Sequence, residues 1–170
     1  MKTEISHFLK DKKRVFLTGG AGFIGSHIVE LMADTSTHFV VYDNLSSGYL
    51  NFIDKYISNN NITFIEGDIL DSEAIRHSIQ ECDLVWHLAS NTNIIASHLQ
   101  PERDISDGIV GSYNIIEAMR NEGIRDIIFA SSGSVYGNAC EDIVVTENVG
   151  PLMPVSTYGA AKLASEALIS

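Results

Sequence analysis

Five short, nearly continuous apolar runs punctuate the chain, at Arg14–Thr18, 39–42, 63–66, 84–88 and 127–131. They show little polar alternation, the pattern of strands covered on both faces. Between them, apolar residues recur at helical spacing: Ile24, Ile28, Leu31 and Met32 share one face, Ala74, Ile75 and Ile79 another, and Ile109, Tyr113, Ile116 and Met119 a third. Residues 155–170 also read as a helix, whereas 44–61, rich in Ser, Asn and Gly, and 138–156 read as loops. Strands alternating with helices predict βαβ units in a doubly wound parallel sheet. Right-handed crossovers then place the carboxyl ends of the strands along one edge, where such sheets bind ligands.

A chain of 170 residues, 45% hydrophobic and 19% charged, is long enough for one substantial core and too apolar for disorder. The basic cluster Lys10, Lys12, Lys13 and Arg14 makes residues 1–13 a solvated lead-in, with one domain over 14–170. The net charge of −11 argues against nucleic acid or an anionic membrane as partner. The N-terminus is polar, and no run approaches the ~20 apolar residues of a membrane span. Cys82 and Cys140 lie far apart without CxxC spacing, which reads as two small buried or half-buried thiols in a reducing cytoplasm, and no metal site is expected.

The first strand runs directly into Gly19-Gly20-Ala21-Gly22-Phe23-Ile24-Gly25 and then a helix. Gly19 permits the tight turn, Gly22 lets a pyrophosphate approach the backbone, and Gly25 lets helix and strand pack closely. Peptide N–H groups and the helix dipole would hold the anion. Glycines alone would fit any tight turn, but Asp43 ends the second strand 18 residues beyond Gly25. A carboxylate there accepts both ribose hydroxyls and repels a 2′-phosphate, so the expected cofactor is NAD.

Tyr158 and Lys162 stand at i and i+4, on one face of the last helix. A tyrosine titrates near ~10 and is a poor base at neutral pH, and a neighbouring ammonium favours its phenolate. Ser132, after the fifth strand, can hydrogen-bond the same substrate oxygen. The expected catalytic set is therefore Ser132, Tyr158 and Lys162.

Several motifs follow one another in order: 18–27, Asp43-Asn44-Leu45-Ser46-Ser47-Gly48, Gly67-Asp68-Ile69, His87-Leu88-Ala89-Ser90, 131–137 and Tyr158-Gly159-Ala160-Ala161-Lys162. With them, residues 14–170 resemble the extended short-chain dehydrogenase/reductase family, in its UDP-glucose 4-epimerase-like, nucleotide-sugar epimerase/dehydratase branch. The resemblance implies a Rossmann-type α/β fold with helices on both faces of the sheet. Phe23 and Ile24 would belong to the NAD loop, Asn44, Ser47 and Gly48 would lie near the adenosine ribose, and Asp68 and Ile69 would contact adenine. Leu88, Ala89 and Ser90 would line the cofactor, and Tyr158 and Lys162 would reach it. The implied reaction is epimerisation of a UDP- or dTDP-sugar through reversible hydride transfer to tightly bound NAD. A dehydratase, decarboxylase or reductase of the same family, or a non-catalytic NAD-binding fragment, stays open.

The chain departs from the family in three respects. Gly108 stands where the family's Asn-x-x-Gly-Thr pattern has asparagine, leaving Asp107 as a candidate substitute. Gly133-Ser134 stands where nucleotide-sugar dehydratases carry an Asp-Glu pair, which favours epimerisation. Family members also continue past the Tyr158 helix into a last strand and a substrate domain, so turnover by these 170 residues alone is expected to be weak. The apolar faces of 109–119 and 155–170 fit either core packing or a homodimer.

Overall fold

The fold is described from a computed structural model covering residues 8–91, 99–140 and 144–170. The five strands are β1 (Arg14–Thr18), β2 (His38–Asp43), β3 (Ile62–Glu66), β4 (Leu84–His87) and β5 (Ile127–Phe129). They form one parallel sheet in the order β3-β2-β1-β4-β5. The order reverses beside β1, so the carboxyl ends of β1, β2 and β4 open on a common crevice. Val15 of β1 pairs with Phe39 of β2 and Leu84 of β4, which sets the register of the sheet's centre.

Alternate residues of these strands feed two apolar layers. Val15, Leu17, Phe39 and Val41 pack on one face with Ile28, Val29 and Met32. Phe16, Val40 and Val85 pack on the other with Ile75, Ile79, Ile115 and Met119. Each fully buried side chain of this size contributes about 1.5–3 kcal/mol. Leu9 joins the first layer, so the lead-in contributes to the core although Lys12 of the same segment pairs with Asp126 at the surface. Cys82 is a buried free thiol pushed up to about 11 by burial, and the side chain of Cys140 lies outside the described residues.

Among the described residues the α-helices are α1 (Phe23–Met32), α2 (Asp54–Ile57), α3 (Ser72–Ser78), α4 (Gly111–Glu122) and α5 (Thr157–Ile169). A π-helical segment, Asp104–Val110, leads into α4. The buried stripe of α1 is Gly25, Ile28, Val29 and Met32. Ile24, expected on the core face, is 61% exposed, because the first turn of α1 faces the crevice instead of the sheet. In α4 the core side is Gly111, Ser112, Ile115, Ala118 and Met119, and Tyr113 is 52% exposed. Of the face expected from sequence, Met119 is core and Ile116 half-buried, Tyr113 points outward, and Ile109 lies in the π segment before α4.

Caps fix the helix ends. Asp71 accepts the Ala74 N–H at the start of α3, and Ser156 accepts the Gly159 N–H at the start of α5. Gly123 closes α4 in the left-handed conformation, φ 71°, that its missing side chain allows. The segment expected to be loop over 44–61 contains the 3-10 turn Leu50–Phe52 and α2, and 3-10 turns over Gly133–Cys140 follow β5. β5 ends at Phe129, short of the expected 131, where its partner β4 ends at His87, and beyond it the Ala130 carbonyl accepts from Lys162 of α5.

Candidate functional site

The turn after β1 is shaped by contacts that exclude side chains. Gly19 has φ +70°, and a Cβ there would lie 2.8 Å from the Ala89 nitrogen. A Cβ on Gly25 would press on the Gly19 carbonyl and lie 2.5 Å from the Gly20 Cα, all of it backbone. The loop therefore folds tightly over the N-terminus of α1, whose first N–H groups point outward. Asp43, only 8% exposed, braces it from β2: one carboxylate oxygen accepts the Ala21 N–H at 2.9 Å and the other the Leu45 N–H at 2.8 Å.

A second brace lies at the end of β3. The Tyr42 hydroxyl donates to the Asp68 carbonyl at 2.9 Å, and Asn44 Nδ2 donates to the Asp68 carboxylate at 2.9 Å. The other Asp68 oxygen accepts the Leu70 N–H at 2.8 Å. Burial, with Asp71 and Asp68 nearby, pushes the Tyr42 phenol up to about 12, so it acts as a fixed donor.

Behind the loop runs a buried polar chain that sequence reading named only as part of a motif. Thr18 Oγ1 accepts the N–H groups of Leu88 and Ala89, at 3.2 and 3.1 Å. With both lone pairs used, its proton goes to His87 Nδ1, 2.7 Å away. The other ring nitrogen then carries a proton and donates to Ser112 Oγ at 3.1 Å. Burial, and then the Lys162 charge, lower the His87 imidazole to about 3. The chain fixes the 88–89 backbone that meets Gly19.

These pieces enclose a crevice of about 270 Å³. Gly19, Gly22, Phe23, Ile24, Gly25, Asp43, Asn44, Ser47, Asp68, Ile69, Leu88, Ala89 and Ser90, all singled out from the sequence, line it together. Tyr42, Ser46, Gly67 and Ala130 line it as well and were not singled out, as does Asp107. The Gly67 signal was available in its motif, since a Cβ there would strike the Tyr42 ring. Gly48 lies outside the wall and backs it, because a Cβ would meet the Ala21 carbonyl carbon at 2.8 Å.

Ser132, Tyr158 and Lys162 also stand outside the wall, and Lys162 reaches it at Ala130. Lys162 Nζ donates to the Ala130 carbonyl at 2.8 Å and lies 4.8 Å from the Phe129 ring and 5.8 Å from the Tyr158 ring. The side chain is buried, and loss of solvent lowers its ammonium to about 8. Ser132 Oγ accepts the Ser134 N–H at 3.2 Å and donates to Ser134 Oγ at 3.1 Å. α5 is seated by small residues: a Cβ on Gly108 would lie 2.9 Å from the Ala161 Cβ, and Ser165 Oγ donates to the Gly108 carbonyl at 3.0 Å. Among the described residues, no group of three or more His, Cys, Asp or Glu could hold a metal, and no helix is long and apolar enough to cross a membrane.

The crevice fits a dinucleotide. Outward N–H groups at the α1 terminus suit a pyrophosphate, a buried carboxylate suits a ribose diol, and the glycines leave the backbone open to approach.

Comparison with known proteins agrees with that chemistry. The UDP-glucose 4-epimerase of Neisseria meningitidis serogroup B is 33% identical over 162 residues, covering 93% of this chain and 48% of that protein. A putative UDP-glucose 4-epimerase of Methanocaldococcus jannaschii is 36% identical, covering 91% of this chain and 49% of that protein. The structure of the UDP-N-acetylglucosamine 4-epimerase of Methanobrevibacter ruminantium M1, in complex with UDP-N-acetylmuramic acid, superposes with a TM-score of 0.84 at 33% identity, covering 92% of this chain and 49% of that one. The Brucella ovis UDP-glucose 4-epimerase in complex with NAD superposes with a TM-score of 0.77 at 30% identity, covering 92% and 46%. The chain thus spans about half the length of the relatives it matches. Residues 15–170 match the NAD dependent epimerase/dehydratase family, and the chain belongs to it.

Proposed function

We propose that this chain is the cofactor-binding half of an NAD-dependent nucleotide-sugar 4-epimerase, acting on a UDP- or dTDP-sugar. The observation that carries the reading is the continuity of the crevice. It runs from Asp43 and Asp68, past the glycine loop, to Ala130, whose carbonyl is held by Lys162 of the helix bearing Tyr158. Adenosine would lie between Asp43, Asp68 and Ile69, with Asn44 and Ser47 beside its ribose, and the pyrophosphate on Gly19, Gly22 and Gly25. Leu88, Ala89 and Ser90 would line the other ribose.

When bound, NAD supplies a hydride acceptor and donor. Tyr158 takes the proton of the sugar 4-hydroxyl and returns it, the Lys162 ammonium favours the phenolate that does so, and Ser132 holds the same oxygen. Rotation of the 4-keto sugar between hydride departure and return inverts C4. Gly133 and Ser134 bring no carboxylate to this end of the site, which favours epimerisation over loss of water.

A homodimer would use the helices over 109–119 and 155–170, where Tyr113 and Leu168 are exposed. The reading places the protein in the reducing cytoplasm, where Cys82 stays a free thiol. The test joins this chain to a C-terminal half like that of its relatives, adds NAD, and follows UDP-glucose and UDP-galactose by NMR. Interconversion that disappears in Tyr158→Phe is the expected result. Bound NAD without turnover of any UDP- or dTDP-sugar overturns the reading.

A further inference from the structure

We infer that the Asp107 carboxylate biases the bound cofactor toward its oxidised, cationic form. The inference rests on the reading of the crevice as an NAD site and goes beyond it to a redox preference. Asp107 lies on the π segment between buried Asp104 and buried Gly108 and is itself half-exposed on the crevice wall. Its place along the crevice is fixed by its neighbour. Gly108 abuts Ala161, next in sequence to Lys162, and Lys162 binds the Ala130 carbonyl that ends the same wall. With the nicotinamide read at the Ala130 end, Asp107 is taken to face that ring from the wall.

Its partners do not neutralise it. Asp107 Oδ1 accepts the Ser106 hydroxyl at 3.0 Å, and among the described residues no cation pairs with it. The Lys162 ammonium donates to the Ala130 carbonyl and forms no ion pair with Asp107. Gly108 has no room for a polar side chain, so the polar group on this stretch of wall comes from Asp107.

NAD+ and NADH share adenosine, both riboses and the pyrophosphate. They differ at the nicotinamide, which carries a unit positive charge when oxidised and none when reduced. A carboxylate at that end attracts only the oxidised ring, whereas one near the pyrophosphate would repel both forms equally. Across a few ångströms of half-exposed site the attraction is worth about a factor of ten in affinity. A resting NAD+ state suits a reaction that begins by removing hydride from its substrate.

The test is calorimetric titration of the chain with NAD+, NADH and ADP-ribose, which lacks nicotinamide. Asp107→Asn should lose about tenfold in NAD+ affinity, with NADH and ADP-ribose unchanged. Ser106→Ala, which removes the hydrogen bond and keeps the charge, should retain the wild-type preference for NAD+. Unchanged NAD+ affinity in Asp107→Asn, or an equal loss for all three ligands there and in Asp107→Ser, overturns the inference. Wild-type protein that binds none of the three overturns the cofactor reading itself and the inference with it.

Discussion

Acidification should weaken this fold through one imidazole. His87 sits in a hydrogen-bond chain already complete with the neutral ring: Thr18 gives its proton to Nδ1, and the other nitrogen gives its own to Ser112. A second ring proton would point at the Thr18 hydroxyl, whose lone pairs are filled by the Leu88 and Ala89 N–H groups. Burial, then Lys162, lower the group from 6.5 to about 3. Below pH 6.5 the unfolded chain therefore takes up a proton that the folded chain refuses. Stability falls as pH drops, until the folded group titrates near 3. At ~1.4 kcal/mol per pH unit the loss reaches about 2 kcal/mol by about pH 5. Urea unfolding followed by circular dichroism at about pH 7 and about pH 5 measures it, with His87→Asn as reference. His38 is also lowered by burial, but it is present in both chains and cancels. Wild type should lose about 2 kcal/mol more than His87→Asn over this interval. An equal loss in both refutes the reasoning.

Further outcomes follow from the same geometry. Gly25→Ala forces a Cβ into the Gly19 and Gly20 backbone, so it should lose about 1–3 kcal/mol of stability and at least about tenfold in NAD affinity, measured by melting and titration. Gly108→Asn wedges α5 away from the π segment through Ala161 and should lower the melting temperature, while Gly133→Ala, in open space, should not. Lys162 is lowered from 10.5 to about 8 by burial, so below pH 8 the folded chain carries a desolvated charge that the unfolded chain carries in water, and stability rises with pH from 8 to 10.5. Lys162→Met should raise the melting temperature at neutral pH, by about 1–2 kcal/mol of stability after the lost Ala130 hydrogen bond, and flatten that alkaline rise. A less stable variant contradicts the assignment.

The strands and the glycine loop were legible because their signals are local. An apolar run covered on both faces, a turn that admits no side chain and a carboxylate closing the next strand can each be read from neighbouring residues. Long-range phase could not be read this way. The outward turn of Tyr113 depends on how α4 sits against the sheet, and the exposure of Ile24 depends on where the crevice opens. The polar chain from Thr18 through His87 to Ser112 joins residues 69 and 25 positions apart, so no sequence window contains it. Gly108, an unexplained departure in the sequence, proves to be a contact: its missing side chain lets α5 close on the π segment, one residue from Lys162.

A crystal structure of this chain grown with NAD tests the central claim most directly. The account predicts the pyrophosphate against the glycine loop on the first N–H groups of α1, the adenosine ribose on Asp43, adenine beside Asp68 and Ile69, and the nicotinamide at Ala130 and Asp107. Electron density for NAD in the reverse orientation, or anywhere outside this crevice, would contradict it.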